Sequence, residues 1–292
     1  MLEIHALSHQ YKKDHFVLAD INLSLEKGVV GLLGKNGAGK SSLMNILATI
    51  IKPSQGDVTY HGVSIVKKPQ SIREVLGYLP QYFGVYDELS AVEFLHYIAN
   101  LKKLSPQFAK QQIASLLDSL NLAHVANTKL GSYSGGMRQR IGIAQALLND
   151  PKVLIIDEPT VGLDPEERNE FKNLLSEMAA ERLILLSTHI VSDIASIAQQ
   201  VAIMRQGNLA FFGTPTTLQS QFQGEIWQAE VDFEQYNEIK RKGMLTHAQR
   251  QDVGYFVRCI AKERPFDAAL SSAPTLEDAY LAINKNHRGA MA

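Results

Sequence analysis

Apolar and polar positions alternate with a period of two near the start of the chain, and then the alternation stops. Ile21, Leu23 and Leu25 are separated by polar residues, the pattern of a strand with one buried face. Gly28 then leads into Val29-Val30-Gly31-Leu32-Leu33, a continuous apolar run that fits a strand covered on both faces. A glycine-rich stretch follows, and the spacing over 40–50 predicts a helix. The middle of the chain reads as helical. Ser90-Ala91-Val92-Glu93 has the form of a capping box, in which serine and glutamate each satisfy an orphan backbone donor. Ser105-Pro106 opens a second helix, with proline where no N–H is needed. Strand and helix then alternate: a strand over 153–156, a helix capped by Asp164-Pro165-Glu166-Glu167 and reaching about 180, and a strand over 183–187. Residues 201–204 and 209–212, joined across Gln206-Gly207-Asn208, predict a hairpin.

Beyond about Thr214 the texture changes. Residues 226–233 alternate, as do Val253, Tyr255 and Val257, and Leu276, Ala279, Tyr280 and Ile283 keep helical spacing behind Pro274-Thr275. A boundary near 214–224 is expected, dividing residues 1–215 from a small α/β appendage over 216–292.

Composition narrows the class. The chain has 292 residues, 45% hydrophobic and 20% charged, with 20 glycines, enough to bury a sizeable core. Its net charge of −1 does not call for a polyanion-binding surface. The single cysteine, Cys259, rules out an intramolecular disulfide and fits a reducing compartment. No apolar run is long enough to cross a bilayer, and the first residues lack the pattern of a signal peptide. Any work at a membrane is therefore expected to draw its span from another chain.

The sharpest chemical signal is Gly34-Lys35-Asn36-Gly37-Ala38-Gly39-Lys40-Ser41, which satisfies G-x-x-x-x-G-K-[ST]. Its glycines let the backbone wrap an anion with its amides, and the following helix adds the positive end of its dipole. Lys40 has the reach for the β- and γ-phosphates, and the Ser41 hydroxyl suits Mg²⁺. Gly34, Asn36, Gly37, Ala38, Gly39, Lys40, Ser41 and Ser42 are thus candidate ATP contacts. A bland glycine turn before a helix is the competing reading; the buried strand before it favours the phosphate loop. The second signal is Val153-Leu154-Ile155-Ile156-Asp157-Glu158. Acids at the end of a buried parallel strand lie at the sheet edge where α/β ligands bind. Asp157 is placed to hold Mg²⁺ and Glu158 to polarise an attacking water. Alone, two solvated carboxylates would explain this run equally well; beside the phosphate loop the pair gains force.

Here the chain resembles the ABC ATPases. Ser134-Gly135-Gly136-Met137-Arg138-Gln139-Arg140 is similar to the ABC signature. Asp157-Glu158-Pro159-Thr160 with Gly162-Leu163-Asp164-Pro165 is similar to Walker B and the D-loop. Ser187-Thr188-His189 resembles the switch-histidine motif, Leu79-Pro80-Gln81 the Q-loop, and Tyr11 stands where the family stacks an aromatic on adenine. Phe16 competes with Tyr11 for that role. The resemblance covers about residues 1–215. Tyr133 and Met137 depart from the commonest signature but flank its Ser-Gly-Gly centre.

The resemblance implies a P-loop cassette with a mixed sheet, an antiparallel β subdomain and a helical signature subdomain over about 82–148. It implies Glu158, His189, Lys40 and Gln81 as catalytic, and Ser41, Gln81 and Asp157 around Mg²⁺. Tyr11, Ser134, Gly135, Gly136 and Asp164 join the phosphate loop as nucleotide contacts. One copy of each motif implies a homodimer or heterodimer, each ATP lying between one phosphate loop and the partner's signature. Tyr82, Phe83, Val85 and Tyr86 are expected near a multi-span permease subunit. The implied function is transport powered from the cytoplasmic face of the cell membrane, of the exporter type given the signature variant and the Thr275-Leu276-Glu277-Asp278-Ala279-Tyr280 tail. The alternative is a soluble ABC ATPase acting on nucleic acid or ribosomes; near-neutral charge and a single cassette speak against it, and no nucleic-acid partner is expected.

Overall fold

The computed structural model describes residues 1–12, 15–160 and 163–285. Gly162 of the D-loop run lies outside them. An antiparallel sheet of order β2-β1-β4-β5 is made by β1 (Leu2–Lys12), β2 (His15–Leu25), β4 (Gln55–Tyr60) and β5 (Val63–Ser64). The central sheet has six strands in the order β10-β9-β3-β8-β7-β6. They are β3 (Gly28–Leu33), β6 (Leu76–Leu79), β7 (Val153–Asp157), β8 (Leu183–Thr188), β9 (Gln200–Arg205) and β10 (Asn208–Gly213). All are parallel except β10, which returns along β9 as the predicted hairpin. The sheet is therefore mixed.

Every residue of β3, β7 and β8 is buried, because both faces are covered and alternate residues serve opposite faces. Val29, Leu33, Leu154, Ile156, Ile184 and Leu186 join one apolar core. Val30, Leu32, Val153, Ile155, Leu183 and Leu185 join the other, which also takes Leu43, Met44 and Leu47 of α1 (Lys40–Leu47) and the antiparallel sheet. The first core carries the helical subdomain: α3 (Ala91–Leu101), α4 (Pro106–Ser119) and α5 (Gly135–Leu147). Ser90 and Glu93 close the capping box at α3, and Ser105 caps α4 ahead of Pro106. Between the central strands lie short α2 (Gln70–Arg73), α6 (Pro165–Met178) and short α7 (Val191–Ile194). Asp164 and Glu167 form the reciprocal cap of α6.

After α8 (Pro215–Ser220) comes a third sheet, of order β12-β13-β11-β14. It comprises β11 (Ile226–Val231), β12 (Leu245–Arg250), β13 (Tyr255–Ile260) and β14 (Leu270–Ser271), with α9 (Phe233–Arg241) and α10 (Leu276–Asn284). It has its own apolar cluster around Val231, Ile239 and Val257. Leu276, Ala279 and Tyr280 of α10, by contrast, pack into the main core. Asp278 is buried and anchors α10 to β13: Arg258 Nη2 donates to its Oδ2 at 2.6 Å, and Thr246 Oγ1 to its Oδ1 at 2.6 Å.

Three elements differ from the sequence pattern. The first helix stops at Leu47, and Thr49 adopts φ 59° soon after. The alternation over 226–233 ends at Val231, because the Asp232 carboxylate accepts the Gln235 N–H and Phe233 begins α9. Val253 precedes β13 and is 91% exposed, so its apparent alternation with Tyr255 is accidental.

Candidate functional site

Parallel pairing sets the site by register. Leu33 lies opposite Thr188, Asp157 opposite Ser187, and Leu79 opposite Ile156. The segments that begin at Gly34, Glu158, His189 and Pro80 therefore all leave one carboxyl edge, where parallel α/β sheets bind ligands.

Gly39 is the N-cap of α1 at φ 102°, and a Cβ there would lie 2.7 Å from the Val17 carbonyl oxygen. Only glycine fits both the angle and the space. No side chain caps α1, which leaves its first amides to an anion. The loop is buttressed where the Gly207 N–H donates to the Ala38 carbonyl at 3.1 Å. Lys40 is buried, donates to the Gly34 carbonyl at 2.8 Å and holds its Nζ 3.8 Å from Glu158 Oε1. Burial lowers its pKa, and the Glu158 and Asp157 carboxylates pull it partly back. Ser41 is exposed. Ser42 is buried, and its Oγ lies 3.2 Å from the Tyr11 hydroxyl.

Glu158 is buried with φ 49°, a conformation that costs a non-glycine residue and tends to mark functional sites. Its N–H donates to the Ser187 carbonyl at 3.0 Å, and its Oε2 lies 2.9 Å from Nδ1 of the half-exposed His189. Asp157 ends β7 at 4% exposure. Among the described residues its Oδ1 has no hydrogen-bond partner, and neither has the Ser187 hydroxyl. Burial and the Asp157 charge push the Tyr78 phenol up to about 12, so it stays neutral and donates to Asn45 at 3.0 Å. Gln81 is exposed two residues past β6 at the same edge. Ser41, Gln81 and Asp157 offer hard oxygen donors of the kind Mg²⁺ takes, and the unpartnered Asp157 Oδ1 makes that fit concrete. No group of three or more His, Cys, Asp or Glu residues able to hold a metal exists among the described residues, so the ion would lean on phosphate oxygens and water.

The signature residues are elsewhere. Ser134 caps α5 by accepting the Met137 N–H at 3.2 Å, leaving the glycine amides bare. Gly142 of α5 packs on Leu79, at the end of β6. Ser134 is eight positions earlier, about 12 Å further along the helix axis. Lys40 follows β3, three strand spacings from β6, about 14 Å across the sheet. Among the described residues no hydrogen bond or ion pair links Ser134, Gly135 or Gly136 to Lys40, Glu158 or His189. Asp164 lies with the signature, since Glu167, which caps it, occupies the face of Gly136 and accepts from Arg140 at 2.9 Å. Tyr133, the departure from the common signature, is buried and donates its hydroxyl to the Val125 carbonyl at 2.7 Å, which makes it a core residue.

Comparison with known proteins shows the family. A sequence profile described as "ABC transporter" matches residues 18–161. The "Uncharacterized ABC transporter ATP-binding protein YxlF" of Bacillus subtilis (strain 168) is 35% identical over 232 residues, 79% of this chain and 77% of that protein. The chain belongs to the ABC transporter family. It is an ATP-binding subunit and an ATPase. The "Probable multidrug ABC transporter ATP-binding protein YbhF" of Escherichia coli (strain K12) is 37% identical over 206 residues, 70% of this chain but 36% of that longer protein. A solved structure titled "Structure of ATP binding subunit of ABC transporter" superposes with a TM-score of 0.70 at 30% identity, covering 76% of this chain and 93% of that one.

Two acids beside the predicted site residues were not singled out in the sequence as site residues. Asp193, buried on the segment that follows β8, accepts from Thr160 on the segment that follows β7, and Glu167 sits against Gly136. Glu167 showed only as a helix-capping acid, and Asp193 as one acid in the short segment after the switch histidine.

Proposed function

We propose that the chain powers an exporter: ATP closes a pair of such subunits, hydrolysis reopens them, and a separate multi-span membrane subunit turns the cycle into substrate movement. The observation that supports this reading is the division of the site, with Lys40, Glu158 and His189 joined at one edge and Ser134-Gly135-Gly136 at the separate start of α5, with no hydrogen bond or ion pair to them among the described residues. In this reading the phosphate loop from Gly34 to Ser42 and Tyr11 hold ATP. Its γ-phosphate meets the signature and Asp164 of a second subunit, whether an identical copy or a related chain. Glu158 takes a proton from the attacking water, and His189 orients Glu158 and contacts the γ-phosphate. Ser41, Gln81 and Asp157 would hold Mg²⁺, which supplies charge neutralisation at the phosphates. Residues 1–215 form the cassette and 216–292 the accessory unit.

No helix among the described residues is long and apolar enough to cross a membrane. Tyr82 and Tyr86, 87% and 57% exposed just after Gln81, suit docking of an apolar helix from the membrane partner at the cytoplasmic face. The export direction draws on the likeness to YbhF, whose name describes a multidrug transporter. The test is capture of the tagged Glu158→Gln variant from detergent-solubilised host membranes with and without ATP. Co-purification of a multi-span protein supports transport. Recovery of soluble partners alone would replace it with a soluble ABC ATPase role.

A further inference from the structure

We infer that Asp193 is a positioning residue for hydrolysis, holding the two loops that carry Glu158 and His189 at the separation their hydrogen bond requires. Thr160 follows Glu158 by two positions on the segment leaving β7, and Thr188 is the last residue of β8, immediately before His189. All three residues are buried: Thr160 at 2%, Thr188 at 2% and Asp193 at 3% exposure. Thr160 Oγ1 donates to Asp193 Oδ2 at 2.5 Å. Thr188 Oγ1 lies 3.5 Å from the same oxygen and accepts the Ile190 N–H at 3.0 Å. One carboxylate oxygen, on α7 just past His189, therefore ties the segment of Glu158 to the segment of His189, whose side chains meet at 2.9 Å.

A carboxylate removed from water at this depth needs donors to offset its desolvation. Their placement decides the role. Among the described residues Asp193 makes no hydrogen bond or ion pair with Glu158 or His189, but Thr160 and Thr188, which it meets, are each within two residues of one of them. Glu158 is in the left-handed region, so its segment needs tertiary restraint to hold that backbone. The Thr160–Asp193 bond supplies it from one side, and the Glu158 N–H to the Ser187 carbonyl from the other. If this clamp opens, the base and the histidine drift apart while the phosphate loop, built on β3 and α1, is unaffected.

This inference rests on the reading of Glu158 as the base, so Glu158→Gln is assayed alongside. Steady-state ATP hydrolysis and thermal midpoints are measured for Asp193→Ala, Asp193→Asn, Thr160→Val and the double variant Asp193→Ala/Thr160→Val. Asp193→Ala is expected to lower kcat about 10- to 100-fold, the scale of a misplaced catalytic group, with KM for ATP altered by less than about threefold. Asp193→Asn, which keeps an acceptor for Thr160, recovers most of kcat. The double variant is no more than about twofold slower than Asp193→Ala, because both changes break one link. A kcat for Asp193→Ala within about twofold of the parent, a loss confined to KM, or independent multiplication of the two effects overturns the inference. If Asp193→Ala does not fold, Thr160→Val decides alone, since it keeps shape and loses only the hydroxyl; an unchanged kcat then overturns it. Normal hydrolysis by Glu158→Gln removes the base assignment itself. A slow Glu158→Gln beside an unaffected Asp193→Ala removes only the role of Asp193.

Discussion

The starts of α1 and α5 both present bare amides to an anion, yet their surroundings differ. Around α1 the site is assembled: His189 and the buried Lys40 both lie within hydrogen-bond or ion-pair distance of the buried Glu158, which follows the buried Asp157. Around the start of α5 no hydrogen bond or ion pair to Lys40, Glu158 or His189 occurs among the described residues. Among the described residues nothing lies within 4 Å of a Cβ built at Gly135, and the residue closest to one at Gly136 is Glu167, an acid tied to Arg140 and to the cap of α6. A carboxylate beside an anion-binding helix start repels what that start attracts, and the Arg140 guanidinium offsets it. In the proposed reading the first region holds ATP by itself, and the second meets a nucleotide only when another subunit brings one.

The largest effect that would sharpen this contrast comes from the assembled side. Glu158→Gln should cut steady-state hydrolysis at least about 100-fold, the usual range for loss of a general base, with ATP affinity retained in a filter-binding or fluorescence assay. Near-normal turnover would break the assignment. A smaller effect is expected from the bare side. Gly136→Ala puts a methyl within 2.4 Å of Glu167 Oε2. It should lower hydrolysis about 10-fold or more through the loss of one aligned phosphate donor, without weakening ATP binding by the isolated subunit. Gly135→Ala, with free space around it, should cost less; equal losses at the two positions would sever the link to Glu167.

Further from the chemistry, Arg258→Met strands the Asp278 carboxylate between β13 and α10. Breaking a buried pair of this kind costs about 3–5 kcal/mol, read as a drop in Tm of about 10 °C. The smallest effect is in pH. Burial pushes the Asp278 carboxyl up, but hydrogen bonds from Arg258, Thr246 and Thr275 outweigh it and hold the group below its ordinary value of 3.8. The unfolded chain then takes up the proton first as pH falls. The contribution of Asp278 is thus fully present above about pH 4 and is lost as pH drops through the folded value. Tm should fall more steeply in acid for the parent than for Asp278→Asn.

Much of the catalytic edge was legible in the sequence, since β3, β7 and β8 are short unbroken apolar runs and each hands its next residue to the site. Capping boxes at Ser90 and Asp164 were equally plain, because both partners sit three residues apart. The third sheet was harder. β12 has only Thr246 buried and β14 only two residues, both exposed, so neither carries a period to find. The Thr160–Asp193 link joins residues 33 positions apart through two loops, and the placement of Glu167 against Gly136 depends on how α6 lies along α5. Neither leaves a local pattern, because both follow from the packing of elements.

The most direct measurement is the molecular mass in solution of Glu158→Gln with and without saturating Mg²⁺-ATP, by sedimentation or light scattering. A single-subunit mass without nucleotide that doubles with ATP, and fails to double when Gly136→Ala is added, is the predicted result. A variant that binds ATP and stays at single-subunit mass, or one whose ATP-driven doubling survives Gly136→Ala unchanged, would contradict a site completed by a second copy of this chain's signature.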